Sequence, residues 1–220
     1  MGSLSSTQHA ILVGSMLGDG TLRRQDNRLN ALFEVNHSYA FKDYVDWKCE
    51  QMKEYVITSP KSRKGKGMRV AYRFTTRSLP IFTDYYKWFY KNGRKQIPLN
   101  LELDPQILAV WFMDDGSKSR SAYYLNTQQF SLCEQKILQM KLEKDMGIKS
   151  TLNRDKKYLR LRISTESAKY MTLIVEKYIL PCFRYKLTYD PVTTDPKGKI
   201  LTLGQDNTPT PITKNSMIWF

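Results

Sequence analysis

Leu12-Val13-Gly14-Ser15-Met16-Leu17-Gly18-Asp19-Gly20 is an apolar run that ends in Asp-Gly. Leu108-Ala109-Val110-Trp111-Phe112-Met113-Asp114-Asp115-Gly116 repeats the pattern 96 residues later. Asp19 and Asp115 hold the same place in the two runs. Self-similarity at this separation is the signature of a duplicated unit, so the regions downstream of each run should match as well.

They do. After the first Asp-Gly, Leu32 to Asn36 has strand character, and after the second so does Ala122 to Thr127. An amphipathic helix follows each. Phe41, Val45, Cys49, Met52 and Val56 mark one at a spacing near 3.6. Ile137, Leu138, Leu142 and Met146 mark the other, with Ser131 as N-cap and Gly147 as its stop. Met68 to Phe74 and Tyr158 to Ile163 then alternate apolar with basic residues, as a strand with one buried and one cationic face does. A third helix closes each half, over about 79–90 and 166–179, followed by Arg94-Lys95 and Tyr185-Lys186. The chain thus divides into a first half at 5–96, a linker at 97–104, a second half at 105–188 and an extension at 189–220. That extension holds four prolines, and Ile218-Trp219-Phe220 is expected to dock on the core, a disordered tail being the alternative.

Composition narrows the partner and the chemistry. Lys and Arg total 35 against 21 Asp and Glu, a formal net charge of +14 over 220 residues. A chain this basic is drawn to a polyanion. The two histidines, His9 and His37, are too few for a multi-histidine centre. Three cysteines, odd in number and far apart, suggest no disulfide framework and no zinc site, which fits an intracellular, reducing compartment. No apolar run approaches the ~20 residues a membrane span requires. Met1 to Ser6 has the form of a myristoylation signal but reads better as a vector scar.

Gly14 and Gly18 are four residues apart, hence on one helix face, and let two helices approach closely. Their C-terminal ends would bring Asp19 and Asp115 together. Two adjacent carboxylates repel, and one keeps its proton unless a cation intervenes. Hard divalent ions prefer carboxylate, water and phosphate oxygens, which makes such a pair suited to phosphodiester hydrolysis. A nearby cation would favour the charged transition state. Lys95 follows Asp19 by 76 residues and Lys186 follows Asp115 by 71, as a duplicated half-site requires. Taken singly, either lysine also reads as a solvated or phosphate-contacting residue.

On Leu12–Gly20, Leu108–Gly116, Arg94-Lys95-Gln96-Ile97-Pro98 and Tyr185-Lys186-Leu187, the chain resembles the single-chain, two-motif LAGLIDADG homing endonucleases over about residues 8 to 188. The resemblance implies an α+β fold of two pseudo-symmetric αββαββα halves. The motif helices would form the interface, and antiparallel sheets would lie in the DNA major groove of a monomer. It implies a double-strand break in a long, asymmetric DNA target, with 3′ overhangs. Asp19 and Asp115 would bind Mg²⁺, helped by the carbonyls of Gly18 and Asp114. Mn²⁺ would substitute, and Ca²⁺ would support binding with little cleavage. Lys95 and Lys186 match the family's solvent-organising basic residues, and His37 and Gln128 fall where members position water. His37 reads equally as a surface histidine at a strand end. The two copies differ in that Val110 and Asp114 stand where the first has Gly14 and Gly18. Register favours Asp115 over Asp114 as ligand, leaving Asp114 to face solvent or DNA.

Base readout would come from the strands through Arg or Lys to guanine and Asn or Gln to adenine. First-half candidates are Arg23, Arg24, Arg28, Asn30, Glu34, Asn36, Arg69, Arg73 and Thr75. Second-half candidates are Lys118, Arg120, Tyr123, Asn126, Asn153, Arg154, Arg160 and Arg162. Strand alternation lets only about half of them face DNA. Lys61, Arg63, Lys64 and Lys66 crowd one loop and suit phosphate contact, an ordinary hairpin tip being the alternative. Two other functions fit the same features: an intron RNA maturase, and a DNA-binding regulator without catalysis. Intact Asp19, Asp115, Lys95 and Lys186 weigh against the regulator. The resemblance points to an organellar or prokaryotic host and an intron-encoded or free-standing gene.

Overall fold

The computed structural model describes residues 3–26, 28–65 and 69–187, and the backbone of 201–203 and 209–211. Lys66 and the terminal Ile218-Trp219-Phe220 lie outside the described residues. The chain divides into two compact units, Met1–Thr188 and Tyr189–Phe220. In chain order the first unit contains α1 (Ser6–Leu17), β1 (Thr21–Arg23), β2 (Leu32–Ser38), α2 (Lys42–Gln51), β3 (Lys61–Lys64), β4 (Val70–Thr75), α3 (Pro80–Phe89), β5 (Tyr90–Lys91) and β6 (Arg94–Lys95). Then come α4 (Pro105–Asp115), β7 (Gly116–Ser119), β8 (Ala122–Leu125), α5 (Leu132–Met146), β9 (Ser150–Asp155), β10 (Tyr158–Ile163) and α6 (Thr165–Val175). In the second unit β11 (Leu201–Leu203) pairs antiparallel with β12 (Pro209–Pro211).

The helix ends are encoded locally. Ser5 caps α1 in a capping box with Gln8, and Ser131 caps α5 in the same way with Glu134. Asp104 accepts the Ile107 amide at 2.7 Å, and Pro105 fills the first turn of α4. Gly147 ends α5 at φ 66°, the left-handed conformation that glycine adopts most readily. The helix expected to run through Val56 is shorter. It ends at Gln51, where the Met52 amide is shared between the Lys48 and Cys49 carbonyls. A 3-10 turn, Lys53–Tyr55, follows, and Val56 is already extended.

Two four-stranded antiparallel sheets have the same topology, β1-β2-β4-β3 and β7-β8-β10-β9. Their registers match residue for residue. Thr21, two residues past Asp19, pairs with Glu34, which pairs with Thr75. Ser117, two past Asp115, pairs with Tyr124, which pairs with Arg162. Each sheet turns one face to its helices, through Phe33, Val35 and Phe74 in one and Leu125, Leu161 and Ile163 in the other, all buried. α1 and α4 lie at the centre of the core, and every residue from Ala10 to Leu17 and from Ile107 to Met113 is buried.

The approach of these two helices depends on the glycines of α1. A Cβ on Gly14 would sit 2.6 Å from the Val110 Cβ, and one at the Gly18 cap would sit 2.5 Å from the Asp114 Cβ. Val110 and Asp114 therefore occupy space that Gly14 and Gly18 leave empty. The asymmetry between the motif copies is a fit across the interface.

Candidate active site

Asp19 and Asp115 stand at the C-terminal ends of the two central helices and line one cavity of about 380 Å³ with Gly18, Thr21, Lys95, Asn126, Gln128 and Gln129. Asp19 also lines a cavity of about 500 Å³ that holds His37, Asp114 and Lys186. Its side chain is 49% exposed. Burial, and then the neighbouring Asp19 and Asp114 charges, push Asp115 up to about 7, against the pull of Lys95 and Lys186. Burial and Asp114 raise Asp19 in the same direction. The two acids thus crowd together at one place, with the Asp19 side chain half exposed to solvent.

Different local structures bring a lysine to each helix end. Lys95 sits on the hairpin β5-β6, whose turn residues Asn92 and Gly93 both take positive φ, 52° and 73°, as a two-residue turn of this kind needs. Its ammonium donates to the carbonyls of Gly18 at 3.2 Å and Gly20 at 2.9 Å. Lys186 ends a 3-10 stretch, Pro181–Lys186, and donates to the carbonyls of Phe112 at 3.3 Å and Met113 at 2.6 Å. Both cations thus meet the negative end of a helix. Burial lowers both, and the three nearby aspartates partly restore them.

Asp114 corrects the expectation that it faces solvent or DNA. Its side chain is 0% exposed. Oδ1 accepts from Lys48 at 2.8 Å and from the Tyr44 hydroxyl at 2.7 Å. Burial works against both charges, and Asp114 settles below the ordinary carboxylate range because the Lys48 and His37 side chains and the Tyr44 hydroxyl face it. Lys48 is itself fully buried and also donates to Ser15 Oγ at 2.8 Å. Sequence reasoning missed Lys48 and Tyr44. One signal was present, since Lys48 falls on the apolar face of α2 and an acid stands where the other motif copy has glycine.

His37 is not the surface histidine of the alternative reading. Its side chain is 8% exposed, with Nδ1 3.6 Å from Asp19 Oδ2 and Nε2 3.6 Å from Asp114 Oδ1. Burial and the nearby Lys48 charge lower it to about 4, so the ring is neutral at pH 7. Gln128 lines the cavity of the two aspartates while its amide donates to Asp155 at 3.0 Å. A divalent cation fits this donor set. The available ligands are hard oxygens, and Asp115 holds a proton that a cation would displace. Among the described residues no cluster of three or more acidic, histidine or cysteine side chains forms a closed cage. Water and phosphate oxygens would complete the coordination.

Strand register sorts the candidate readers. On the face away from the helices lie Asn36, Arg73 and Lys61 in one row, followed by Arg63 beside Ala71. Thr21, Glu34 and Thr75 form another row, with Arg23 paired to Glu34 at 2.9 Å. In the second sheet Asn153 and Arg160 correspond to Lys61 and Arg73. Asn126 accepts from Arg160 at 3.3 Å and completes that row, and Arg162 lies in the next. Lys64, Lys118 and Arg154 pair with Val70, Tyr123 and Leu159, off those rows. The Lys118 ammonium donates to the Leu187 carbonyl. Arg69 lines the larger cavity, and Arg24 and Arg28 are exposed between β1 and β2. The Asn30 amide oxygen accepts from Thr83, tying that side chain to α3. Arg120 forms the β7-β8 turn at φ 53°.

Tyr123 is corrected outright. It is fully buried, and its hydroxyl bonds to Thr172 at 2.6 Å, because the register turns it toward α6. Its neighbour Tyr124 faces outward and lies 4.1 Å beneath the Arg160 guanidinium.

Two matched sheets, two central helices and paired acids at the helix ends define a duplicated protein with one composite carboxylate site. The chain belongs to the LAGLIDADG DNA endonuclease family, whose model matches residues 9–171. It is 29% identical over 206 residues to the cytochrome b mRNA maturase bI2 of Saccharomyces cerevisiae, covering 85% of this chain. It spans about half of that relative's length, 48%. It is 28% identical over 207 residues to a probable intron-encoded endonuclease 1 of Wickerhamomyces canadensis, covering 86% of this chain and 87% of that protein. Among solved structures it resembles the homing endonuclease I-WcaI bound to its DNA recognition sequence. There the TM-score is 0.79 and the identity 25%, over 86% of this chain and 89% of that one.

Proposed function

We propose that the chain is a site-specific homing endonuclease that makes a double-strand break in a long, asymmetric DNA target and leaves 3′ overhangs. The observation that carries this reading is the shared cavity of Asp19 and Asp115, flanked by Lys95 and Lys186. Likeness to an intron-encoded endonuclease and to a DNA-bound homing endonuclease supports it. Residues 5–96 and 105–188 act as the two half-sites, joined by 97–104, with 189–220 appended.

Asp19 and Asp115, with the Gly18 and Asp114 carbonyls, would hold Mg²⁺, for which Mn²⁺ would substitute. Once bound, that ion supplies a lowered pKa for the attacking water and charge compensation at the scissile phosphate. The chain's own residues do the rest. Lys95 and Lys186, fixed by helix-end carbonyls, add positive potential where charge develops and orient solvent. His37 and Gln128 hold water beside the acids. Asn36, Arg73 and Lys61 on one sheet, and Asn126, Arg160 and Asn153 on the other, contact base edges, while Arg63 and its exposed basic neighbours contact phosphates. These two rows share their Asn and Arg and differ at Lys61 against Asn153, while the neighbouring rows, Thr21, Glu34 and Thr75 against Ser117, Tyr124 and Arg162, differ throughout, which makes the target nonpalindromic.

The experiment is selection of cleaved sites from a randomised DNA library with Mg²⁺, in parallel with Ca²⁺. Cutting of a defined sequence with Mg²⁺, and binding with little cutting in Ca²⁺, is expected. Absence of any enriched site would overturn the reading. Intron RNA is a second candidate partner, favoured by likeness to the bI2 maturase, and is tested by splicing assays with the RNA that carries the gene.

A further inference from the structure

The two acids of the site are not held alike. We infer that the buried Lys48–Asp114 pair is a positioning device that orients His37 toward Asp19, so that the two DNA strands are cut by non-equivalent half-sites; this rests on the endonuclease reading above.

Asp114 comes from the second half, yet its partners Lys48, Tyr44 and His37 all come from the first. It can reach them because Gly18 has no side chain. The Lys48 ammonium donates to Asp114 Oδ1 and Ser15 Oγ, both at 2.8 Å, and faces His37 Nε2 at 3.5 Å. An ammonium can only donate, and Asp114 Oδ1, 3.6 Å from Nε2, already accepts from Lys48 and Tyr44, so Nε2 meets the pair with its lone pair. The ring proton then lies on Nδ1, on the side of Asp19, 3.6 Å from Oδ2.

Among the described residues nothing equivalent stands behind Asp115. The residue in register with Asp114 is Gly18. The strand registers that align Val35 with Leu125 place Thr127 where the first half has His37. Thr127 is buried, and its hydroxyl donates to Gln135 at 3.2 Å and accepts from the Leu161 amide at 3.2 Å. Asn126, Gln128 and Gln129, all neutral amides, line the cavity that Asp115 shares with Asp19 and Lys95. A buried ion pair is seldom more stabilising than apolar side chains of the same volume, so its contribution here is the fixed orientation of the imidazole.

The test uses the double variant Lys48→Met/Asp114→Asn, which removes both charges together. Single-turnover cleavage with Mg²⁺ is followed on the library-selected target, with each strand labelled separately. One strand should slow by about tenfold or more while the other stays within about twofold, an effect of the size that small misplacements produce. His37→Gln should give the same one-strand defect while leaving both charges of the buried pair in place. Equal slowing of both strands, or of neither, in a variant with a wild-type melting profile overturns the inference. A wild-type protein that cuts no selected DNA overturns the endonuclease reading instead. In that case the metal-free ring ¹⁵N spectrum decides, since there are only two histidines to assign. Wild-type His37 should show one tautomer with the proton on Nδ1, and the double variant a mixture. An unchanged tautomer in the variant refutes the positioning role.

Discussion

Replacing Gly14 with alanine should destabilise the protein even though alanine is the better helix former. The added methyl would lie 2.6 Å from the Val110 Cβ, 2.9 Å from its Cγ1 and 2.7 Å from the Ile107 carbonyl oxygen. Carbon atoms in contact prefer about 3.5–4.0 Å, so the interface is short of room by roughly 1 Å. Alanine recovers about 1 kcal/mol of helix propensity over glycine. Overpacking of this kind costs about 1–3 kcal/mol, occasionally more. The upper end applies here, because a backbone carbonyl cannot rotate away as a side chain can. The net loss should be about 2 kcal/mol, or about 4–8 °C in melting temperature for a chain of this size. Since Asp19 and Asp115 stand at the ends of the helices being pushed apart, cleavage should fall by about 100-fold. Adding Val110→Gly removes two of the three close contacts, so the pair should lose at least about 1 kcal/mol less than the sum of the single losses. Differential scanning calorimetry on the four proteins of the cycle measures this. A Gly14→Ala protein that melts at or above the wild type refutes the reasoning, as does additivity within about 0.5 kcal/mol.

Other outcomes follow from the same geometry. Asp19→Asn or Asp115→Asn should abolish cleavage and leave Ca²⁺-supported DNA binding largely intact, as read by gel shift; cutting by the double variant removes the mechanism. Asp115 holds its proton up to about 7 when folded but only to about 3.8 when unfolded, so its stabilising contribution is full at low pH and is lost as pH rises toward 7. The melting temperature of Asp115→Asn should therefore gain on that of the wild type from pH 5 to pH 8 without divalent ions, and a constant difference would contradict the shift. Tyr123→Phe leaves Thr172 without its hydroxyl partner and should cost about 1–2 kcal/mol in stability with no change in DNA affinity. Arg160→Ala should weaken binding of the selected target by about 1–3 kcal/mol and relax specificity at one base position, measured by fluorescence anisotropy on the target and its single-base variants.

Local signals accounted for much of the fold. Ser131 with Glu134, and Gly147, mark both ends of α5 in the sequence because capping chemistry acts over three or four residues. Tyr158 to Ile163 alternates as read and forms β10. Boundaries set by competition were less legible. α2 stops short of Val56 although the apolar spacing continues, and the Tyr55 carbonyl accepts instead from the Arg77 amide, a loop contact that no local pattern encodes. Tyr123 and Tyr124 show the same limit. Either could face outward, and the register with β7 and β10 decides which does.

By itself, the order of residues determined the duplication, the apolar helices that end in Asp19 and Asp115, and the basic character that suits a polyanion. Those features repeat at fixed spacing or sum along the chain, so they need no knowledge of neighbours. Folding alone decided that Asp114 turns inward to Lys48, that His37 lies between two acids, and that Val110 packs into the space left by Gly14. These contacts join residues 18 to 96 positions apart. Which carboxylate is neutralised and which stays open to solvent depends on charges brought close across the helix interface, and distance in the chain carries no record of that.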